Sequence, residues 1–347
     1  RIKAELETRF YQNLSGVLNK AYQLAAYNEF AGDPGFVSTE ISLMQAVSSE
    51  DVLRVYDKYL RGKPFIQTSF VPKDTPELAV TRAELASVVE EQVVPGAEAE
   101  VSQGEEADYA MTPSKHDRSE PPLSAPPILK VPAIWSGSLA NGIDVIGIED
   151  RELPLVTFSL VLPGGQWLDA PAREGTASLL ASLSMQGTAN RTPAELEEAI
   201  GLLGAEINFD AGREQLSLTA TTLERNFEAT IALVEEILTE PRWDVAEFER
   251  LKRATEAAIV AAEGNPNALS ARAYANVLYG SGHPYGTPQG GTRESVAALT
   301  LDDLKAWHAS KLSPVGAKLQ VVGAVDAKRV MAALLSLAGA WQGEAVT

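Results

Sequence analysis

Hydrophobic positions near the start of the chain recur at helical spacing. The apolar residues of the first predicted helical stretch are Leu6, Phe10, Leu14, Val17, Leu18 and Leu24. Further along, Ser48 and Asp51 have the spacing of a capping box, which predicts the start of another helix. The run FIQTSFV at 65–71 is rich in residues that favour β-strands. Residues 1–73 are therefore predicted to form helices followed by one strand.

The same order of elements returns near the other end of the chain. Another capping-box pattern opens a helix there, and AKLQVV at 317–322 predicts a strand after it. A shift of 252 residues, from Ser48 to Thr300, aligns the two segments without a gap. The aligned pairs are Ser48 with Thr300, Asp51 with Asp303, Val52 with Leu304, and Leu60 with Leu312. We interpret the match as a repeat of a module longer than about 200 residues, so that the chain holds the tail of one copy and most or all of the next.

Residues 74–132, between the two copies, are rich in proline and in acidic residues. They contain eight prolines, twelve acidic residues, four basic residues and one aromatic residue, Tyr109. Such a segment buries too little apolar surface to offset the entropy lost on ordering. It is therefore predicted to be a linker, with one helix near residues 82–92 and with His116 exposed to solvent.

From about residue 133 onwards, strand patterns alternate with helical patterns. Asn141–Gly142 is a hairpin turn signal. Strands are predicted at 143–149, 155–162, 205–210 and 215–221, and longer helices at 224–238 and 244–263. Strands joined by hairpins and mixed with helices predict an α+β fold, with a mostly antiparallel sheet flanked by helices.

The composition excludes several classes of protein. With 47 acidic and 29 basic residues, the chain has a net charge of −18, and its field repels nucleic acid and anionic membranes. The lack of cysteine excludes disulfides, thiol catalysis and zinc–thiolate sites. No apolar run approaches the roughly 20 residues of a membrane-spanning helix. Because the sequence opens without methionine inside a predicted helix, we expect it to be an excerpt from a longer polypeptide.

The segment GTASLLASLSMQGT at residues 175–188 has the frame of a metal-binding helix without the ligands. It is similar to the motif G-x-A-H-x-x-E-H-x-x-x-x-G-T of the pitrilysin/insulinase zinc peptidases. The frame residues present are Gly175, Ala177, Gly187 and Thr188. Ser178, Ala181 and Ser182 stand where the motif has His, Glu and His. In an active member the two histidines share one zinc ion and the glutamate is the general base, whereas serine is a poor zinc ligand and alanine has no donor atom.

The family takes its third zinc ligand, a glutamate, from a later helix, and the resemblance places Ala258 at that position. Glu256 and Glu263 lie on the same predicted helix but have no histidine pair to complete. Ser178 and Ser182 are not expected to be nucleophiles, because no activating base is placed near them in the sequence. We therefore predict no catalytic, metal-binding or cofactor-binding residue in this chain. The small faces of the two helices are expected to pack closely where zinc would lie.

The three histidines lie too far apart in the sequence for the zinc motif in either order. His283, in the turn-rich run GSGHPYG, is expected to be a structural loop residue. His308 follows Trp307 on a predicted helix and is expected to pack there, partly buried.

Other segments match the same family in order and spacing, among them LLGAEINFDAG and LYGSGHPYGTPQGGT, and residues 25–73 resemble the end of a family domain. The resemblance implies metallopeptidase-half domains like those of the mitochondrial processing peptidase, with zinc in one half of the enzyme. Residues 1–73 would then be the C-terminal part of a preceding family domain, and residues 133–347 an inactive peptidase-like domain.

The expected role of this portion is to form a chamber wall and a substrate clamp for a zinc metalloendopeptidase. The expected partners are peptide substrates and a zinc-bearing catalytic half, in the same polypeptide or in a partner chain. The acidic junction and the tandem layout are most similar to bacterial members of the family, many of which are periplasmic.

Two other interpretations stay open. An inactive homologue would act as a structural or interaction protein, like the non-peptidase family members of respiratory complexes. A two-chain enzyme would receive its zinc half from a separate polypeptide. The residues before Arg1 would distinguish these interpretations from the zinc peptidase, since they either contain an H-x-x-E-H helix with a downstream glutamate or do not.

Overall fold

The computed structural model describes residues 1–81, 117, 119, 122, 124, 128 and 131–346. The chain divides into two compact units, Arg1–Ala46 with Val131–Thr347, and Val47–Lys130. The linker helix predicted near 82–92 lies outside the described residues, as does His116. The predicted boundaries at 73 and 132 differ from the borders of these units, and the assignment of residues 1–73 to a preceding family domain stays a prediction.

The first unit contains a six-stranded sheet. Its strands are β1 (Ile134–Ser138), β2 (Asp144–Glu149), β3 (Leu155–Pro163), β4 (Glu206–Ala211), β5 (Gln215–Leu223) and β6 (Lys318–Gly323). Their order is β1-β2-β6-β3-β5-β4, which leaves β4 at one edge. β2 and β6 pair in parallel, whereas the other neighbouring strands pair antiparallel. The predicted α+β fold with a mostly antiparallel sheet is confirmed.

Helices belong to the same unit, and some of them pack against this sheet. They are α1 (Ile2–Ser15), α2 (Val17–Phe30), α3 (Val37–Ala46), α5 (Thr176–Ser184), α6 (Pro193–Leu202), α7 (Phe227–Thr239), α8 (Val245–Glu263), α9 (Pro266–Tyr279), α10 (Arg293–Ala298), α11 (Leu301–Lys311), α12 (Ala327–Ala333) and α13 (Leu335–Ala340), while α4 (Ser49–Tyr59) belongs to the second unit. Among the helices that the structure describes, none is both long enough and apolar enough to span a bilayer.

The core forms where alternate side chains of each strand meet the helix layer. Phe158 of β3 and Phe227 of α7 pack edge to face, with ring centroids 6.0 Å apart, and both are fully buried. Burial of each such side chain stabilises the fold by about 1.5–3 kcal/mol. Along β4, Ile207 and Phe209 face the core, and the residues that alternate with them are exposed.

Helix α1 is attached to the end of the sheet beside α6. The Glu7 carboxylate accepts hydrogen bonds of 2.6 and 2.7 Å from the guanidinium of Arg225, which lowers the pKa of Glu7. The Thr8 hydroxyl donates to the carbonyl of Gly204 at 2.6 Å. Residues from the start of the chain thus belong to the same compact unit as the sheet.

In the second unit, α4 begins at the predicted capping box. The Ser48 hydroxyl accepts a hydrogen bond from the Asp51 N–H at 3.1 Å, and the Asp51 carboxylate accepts one from the Ser48 N–H at 3.0 Å. The predicted strand at 65–71 is wrong, because these residues have no regular secondary structure. A strand needs neighbouring strands to pair with its backbone, and the described residues of this unit form none.

Candidate functional site

The start of α5 is fixed by Asp169 and Gly175. The Asp169 carboxylate accepts hydrogen bonds from the N–H groups of Gly175 and Ala177, at 2.8 and 3.0 Å. Gly175 has φ +98°, and a Cβ atom there would lie 2.6 Å from the carbonyl oxygen of Gly290. The backbone therefore requires glycine at the first position of the motif frame.

The turn after α5 depends on Gly187 and Thr188. Gly187 has φ +103°, and a Cβ atom there would lie 2.6 Å from the carbonyl oxygen of Arg191. Thr188 is buried, and its hydroxyl donates to Glu236 Oε1 of α7 at 2.8 Å. Backbone geometry and packing thus account for the motif frame without any contribution from a metal ion.

The two serines at the histidine positions of the motif lie one turn apart on α5. The Ser178 hydroxyl donates to the carbonyl of Gln289 at 3.3 Å, and the Ser182 hydroxyl donates to the carbonyl of Ser178 at 3.0 Å. Ser178 is half-buried and Ser182 is exposed. Both hydroxyls are used in bonds to nearby backbone.

The other two motif positions hold methyl groups. The Ala181 side chain is only 1% exposed, whereas Ala258 is exposed on α8. Two neutral hydroxyls and two methyl groups do not form a set of zinc ligands. Within residues 1–81 and 131–346, no three His, Asp or Glu side chains lie close enough together to hold a metal ion.

Helices α5 and α8 contact each other, as predicted, but the alanines that make up the small face of α8 lie at the surface. The alanines of α8 are exposed: Ala254, Ala257, Ala258, Ala261 and Ala262. The side of α8 that faces the fold carries the buried Phe248 and the half-buried Ile259. The expectation that the small residues fill the space between the helices is therefore wrong, since larger residues one helical face away make the inward contacts.

The two described histidines have structural surroundings. His283 Nδ1 accepts a hydrogen bond from the Tyr285 N–H at 3.1 Å, and its ring stacks on Tyr279. His308 Nε2 donates to the carbonyl of Leu238 at 2.7 Å, and burial lowers the pKa of this histidine. These contacts agree with the structural roles expected for both residues.

Known proteins share this fold and sequence pattern. The family model described as insulinase, peptidase family M16, matches residues 145–282. An uncharacterised zinc protease of Mycobacterium leprae is 27% identical over 201 residues, which cover 56% of this chain and 44% of that protein. The peptidase M16 inactive domain from Pseudomonas fluorescens has a TM-score of 0.59 and 25% identity, covering 62% of this chain and 52% of that one. Residues 145–282 therefore match the insulinase family.

The periplasmic protease PqqL from Escherichia coli is also similar in structure. Its TM-score is 0.54 at 16% identity, over 62% of this chain and 25% of that one, so the similarity shows the fold alone. The chain spans about half the length of the curated relatives it matches. These similarities confirm the family inferred from the motif frame.

The sequence patterns did not predict the groove that lies beside α5, at the edge of the sheet. Strand β4 is an edge strand, and α5 packs against it. A groove of about 720 Å³ runs between β4 and α6. Its lining includes Met185, Leu196, Glu197, Ile200, Glu206 and Asn208. Only the order of strands in the folded sheet places β4 at the edge, so hydrophobic alternation alone could not identify this groove.

The two glutamates near Ala258 do not replace the missing ligand. Glu256 is half-buried on α8. Glu263, at the end of that helix, lines a cavity of about 160 Å³ together with Arg272 of α9. Neither belongs to a group of metal-binding side chains among the described residues.

Changing Ser178 and Ser182 to histidine is expected to create a zinc-binding pair on α5. Residues four apart lie on the same helical face, and both serines reach the surface. The S178H/S182H chain should bind zinc at least about ten-fold more tightly than either single variant, as measured by isothermal titration calorimetry. Equal zinc binding by the double and single variants would mean that the frame no longer presents these positions together.

The buried cap of α5 is expected to make stability depend on pH. Burial raises the pKa of Asp169 from 3.8 to about 6, against the opposing effect of its bonds to Gly175 and Ala177. The folded protein thus favours the protonated carboxyl of Asp169. Protonation adds at most about 3 kcal/mol to the free energy of unfolding, and this stabilisation is lost as pH rises from about 4 through about 6.

Urea unfolding across this pH range, compared between wild type and Asp169→Asn, measures the effect. The comparison cancels His308, whose lowered pKa gives the opposite slope below its usual value, because both proteins contain it. The variant curve should lack the fall in stability between about pH 4 and 6. Parallel curves for the two proteins would contradict the raised pKa.

Proposed function

We propose that residues 131–346 form a non-catalytic portion of a zinc metalloendopeptidase, where they line a chamber and clamp a peptide substrate. Hydrolysis would be carried out by a separate zinc-bearing half, in the same polypeptide or in a partner chain. The observation that carries the proposal is the intact structural frame around α5, combined with side chains that cannot bind zinc. Ser178, Ala181, Ser182 and Ala258 occupy the four positions that matter for the chemistry.

The free edge of the sheet at β4 supports the proposal that this domain clamps a peptide. The Gly212 N–H donates a hydrogen bond of 2.7 Å to the carbonyl of Gln215. Since hydrogen-bonded and non-hydrogen-bonded residue pairs alternate in an antiparallel hairpin, this bond fixes which residues of β4 are bonded to β5. By that alternation, Ile207 and Phe209 direct their backbone N–H and C=O groups away from β5. An extended peptide can pair with such groups as an added strand.

The surroundings of β4 favour a peptide with basic and apolar side chains. The groove beside the strand combines Leu196 and Ile200 with the carboxylates of Glu197, which pairs with Arg1, and Glu206, which accepts a hydrogen bond from Gln12. The net charge of −18 adds a long-range attraction for cations. A peptide held here would be confined next to the catalytic half, which lowers the entropy cost of presenting it for cleavage.

We further propose that the protein acts in the bacterial periplasm. The support is the likeness of its tandem layout and acidic junction to periplasmic bacterial members of the family. The Escherichia coli neighbour is described as a periplasmic protease, but its identity of 16% carries only the fold.

Fluorescence anisotropy with short labelled peptides tests the clamp on the full chain. A peptide of alternating lysine and valine should bind and remain uncleaved, and an otherwise identical glutamate–valine peptide should bind at least about ten-fold more weakly. Methylating alternate backbone nitrogens of the basic peptide should abolish binding, because the ladder to β4 cannot then form.

The controls separate the clamp from the other interpretations. Full retention of affinity by the methylated peptide would exclude pairing with β4. No binding of either peptide would favour a structural or interaction protein. Cleavage of the peptide by purified chain, with zinc supplied, would contradict the non-catalytic assignment.

A further inference from the structure

The loop between α9 and α10 is held in place beside the edge strand β4. The side chain of Gln166, which is buried, donates from Nε2 to the carbonyl of Pro288 at 3.0 Å. The Ser178 hydroxyl of α5 donates to the carbonyl of Gln289 at 3.3 Å. Two separate elements therefore fix the backbone of this loop, and with it the position from which the Gln289 side chain extends.

The Gln289 side chain reaches the last residue of β4. Its Nε2 donates a hydrogen bond to the carbonyl oxygen of Ala211. Ala211 lies opposite Leu216, next to the hydrogen-bonded pair of Gly212 and Gln215, so its carbonyl points away from β5. An added strand would need this carbonyl for its own ladder. The amide of Gln289 takes up the space that the backbone N–H of such a strand requires.

The other end of the edge is closed by α6. Ala205, the residue before β4, donates from its N–H to the carbonyl of Ile200 at 3.1 Å. Ala205 is two residues before Ile207, so the same alternation directs its N–H away from β5. Ile207 and Phe209 lie between the two closed positions, and they are the open segment of β4. Only at this segment does the alternation leave outward backbone groups for a peptide.

We infer that Gln289 is a stop, which limits how much of an extended peptide pairs with β4. The inference rests on the proposed peptide clamp and specifies its substrate, a short extended segment whose backbone pairs with Ile207 and Phe209 and no further. A strand rises about 3.4 Å per residue, so about five peptide residues span the edge between the closed positions. Peptide residues beyond this segment add no ladder bonds.

The stop lies beside the degenerate motif. Hydrogen bonds join Ser178 to the backbone of Gln289, and the side chain of Gln289 to Ala211. A peptide on the open segment therefore ends its ladder before the part of the edge that is linked to Ser178. Ser178 stands at a histidine position of the zinc motif, and its hydroxyl now helps to position the stop.

Peptides of two lengths test the stop on the full chain by fluorescence anisotropy. The short probe is Lys-Val-Lys-Val-Lys, and two longer probes add Ser-Val before it or Val-Ser after it, without added charge. Wild type should bind the three probes with Kd values within about two-fold of one another, because the edge is closed at both ends.

Gln289→Ala should bind one of the longer probes at least about five-fold more tightly than the short probe, because Ala211 then adds ladder bonds. Methylating the backbone nitrogens of the extension should remove this gain. The short probe should bind Gln289→Ala as it binds wild type, which also shows that the variant is folded. Gln320→Ala, which changes an exposed glutamine on the inner strand β6, is the matched control and should behave as wild type.

The outcomes separate the stop from the clamp. No binding of the short probe to wild type would overturn the clamp, and the stop with it. Binding of the short probe to both proteins, with no gain for either longer probe in Gln289→Ala, would overturn the stop alone. An equal gain in wild type or in Gln320→Ala would also overturn it, because Ala211 would then be open to the peptide while Gln289 is present.

Discussion

The rest of the site depends on the tight backbone contacts that fix the two ends of α5. At one end, Gly175 lies so close to Gly290 that no side chain fits, and Asp169 caps the first turn. At the other end, Gly187 approaches Arg191 equally closely. The helix is therefore held on β4 by its ends and by its buried face. Side chains on its exposed face are free to vary without loss of the fold, which separates the frame of the motif from its zinc chemistry.

This separation explains how the motif frame keeps its architecture with serine and alanine at the positions of the ligands and the base. A hydroxyl at position 178 or 182 bonds to nearby backbone, and a methyl at position 258 is tolerated at the surface. Ala181 is different, because it has become part of the core. A glutamate there would bring a carboxylate into an apolar environment, which is costly unless it is paired. A glutamate is thus harder to accommodate at position 181 than a histidine at the exposed position 182.

The sequence predicted those parts of the structure that depend on local patterns. The capping boxes at Ser48 and Thr300, the strands β2 to β6 and the motif frame around α5 follow from spacing and turn residues, and they lie where expected, whereas β1 was not predicted. Residues 65–71 have the composition of a strand, but a strand exists only when other strands pair with it. The inward face of α8 and the edge position of β4 depend on packing between distant segments, which residue spacing cannot determine.

The most direct test of the central claim is the zinc content of the purified wild-type chain after equilibration with zinc and dialysis, measured by elemental mass spectrometry. The account predicts well under one zinc per chain, because Ser178, Ala181, Ser182 and Ala258 supply no ligand set. One tightly held zinc per chain, lost when Ser178 or Ser182 is changed to alanine, would contradict the account.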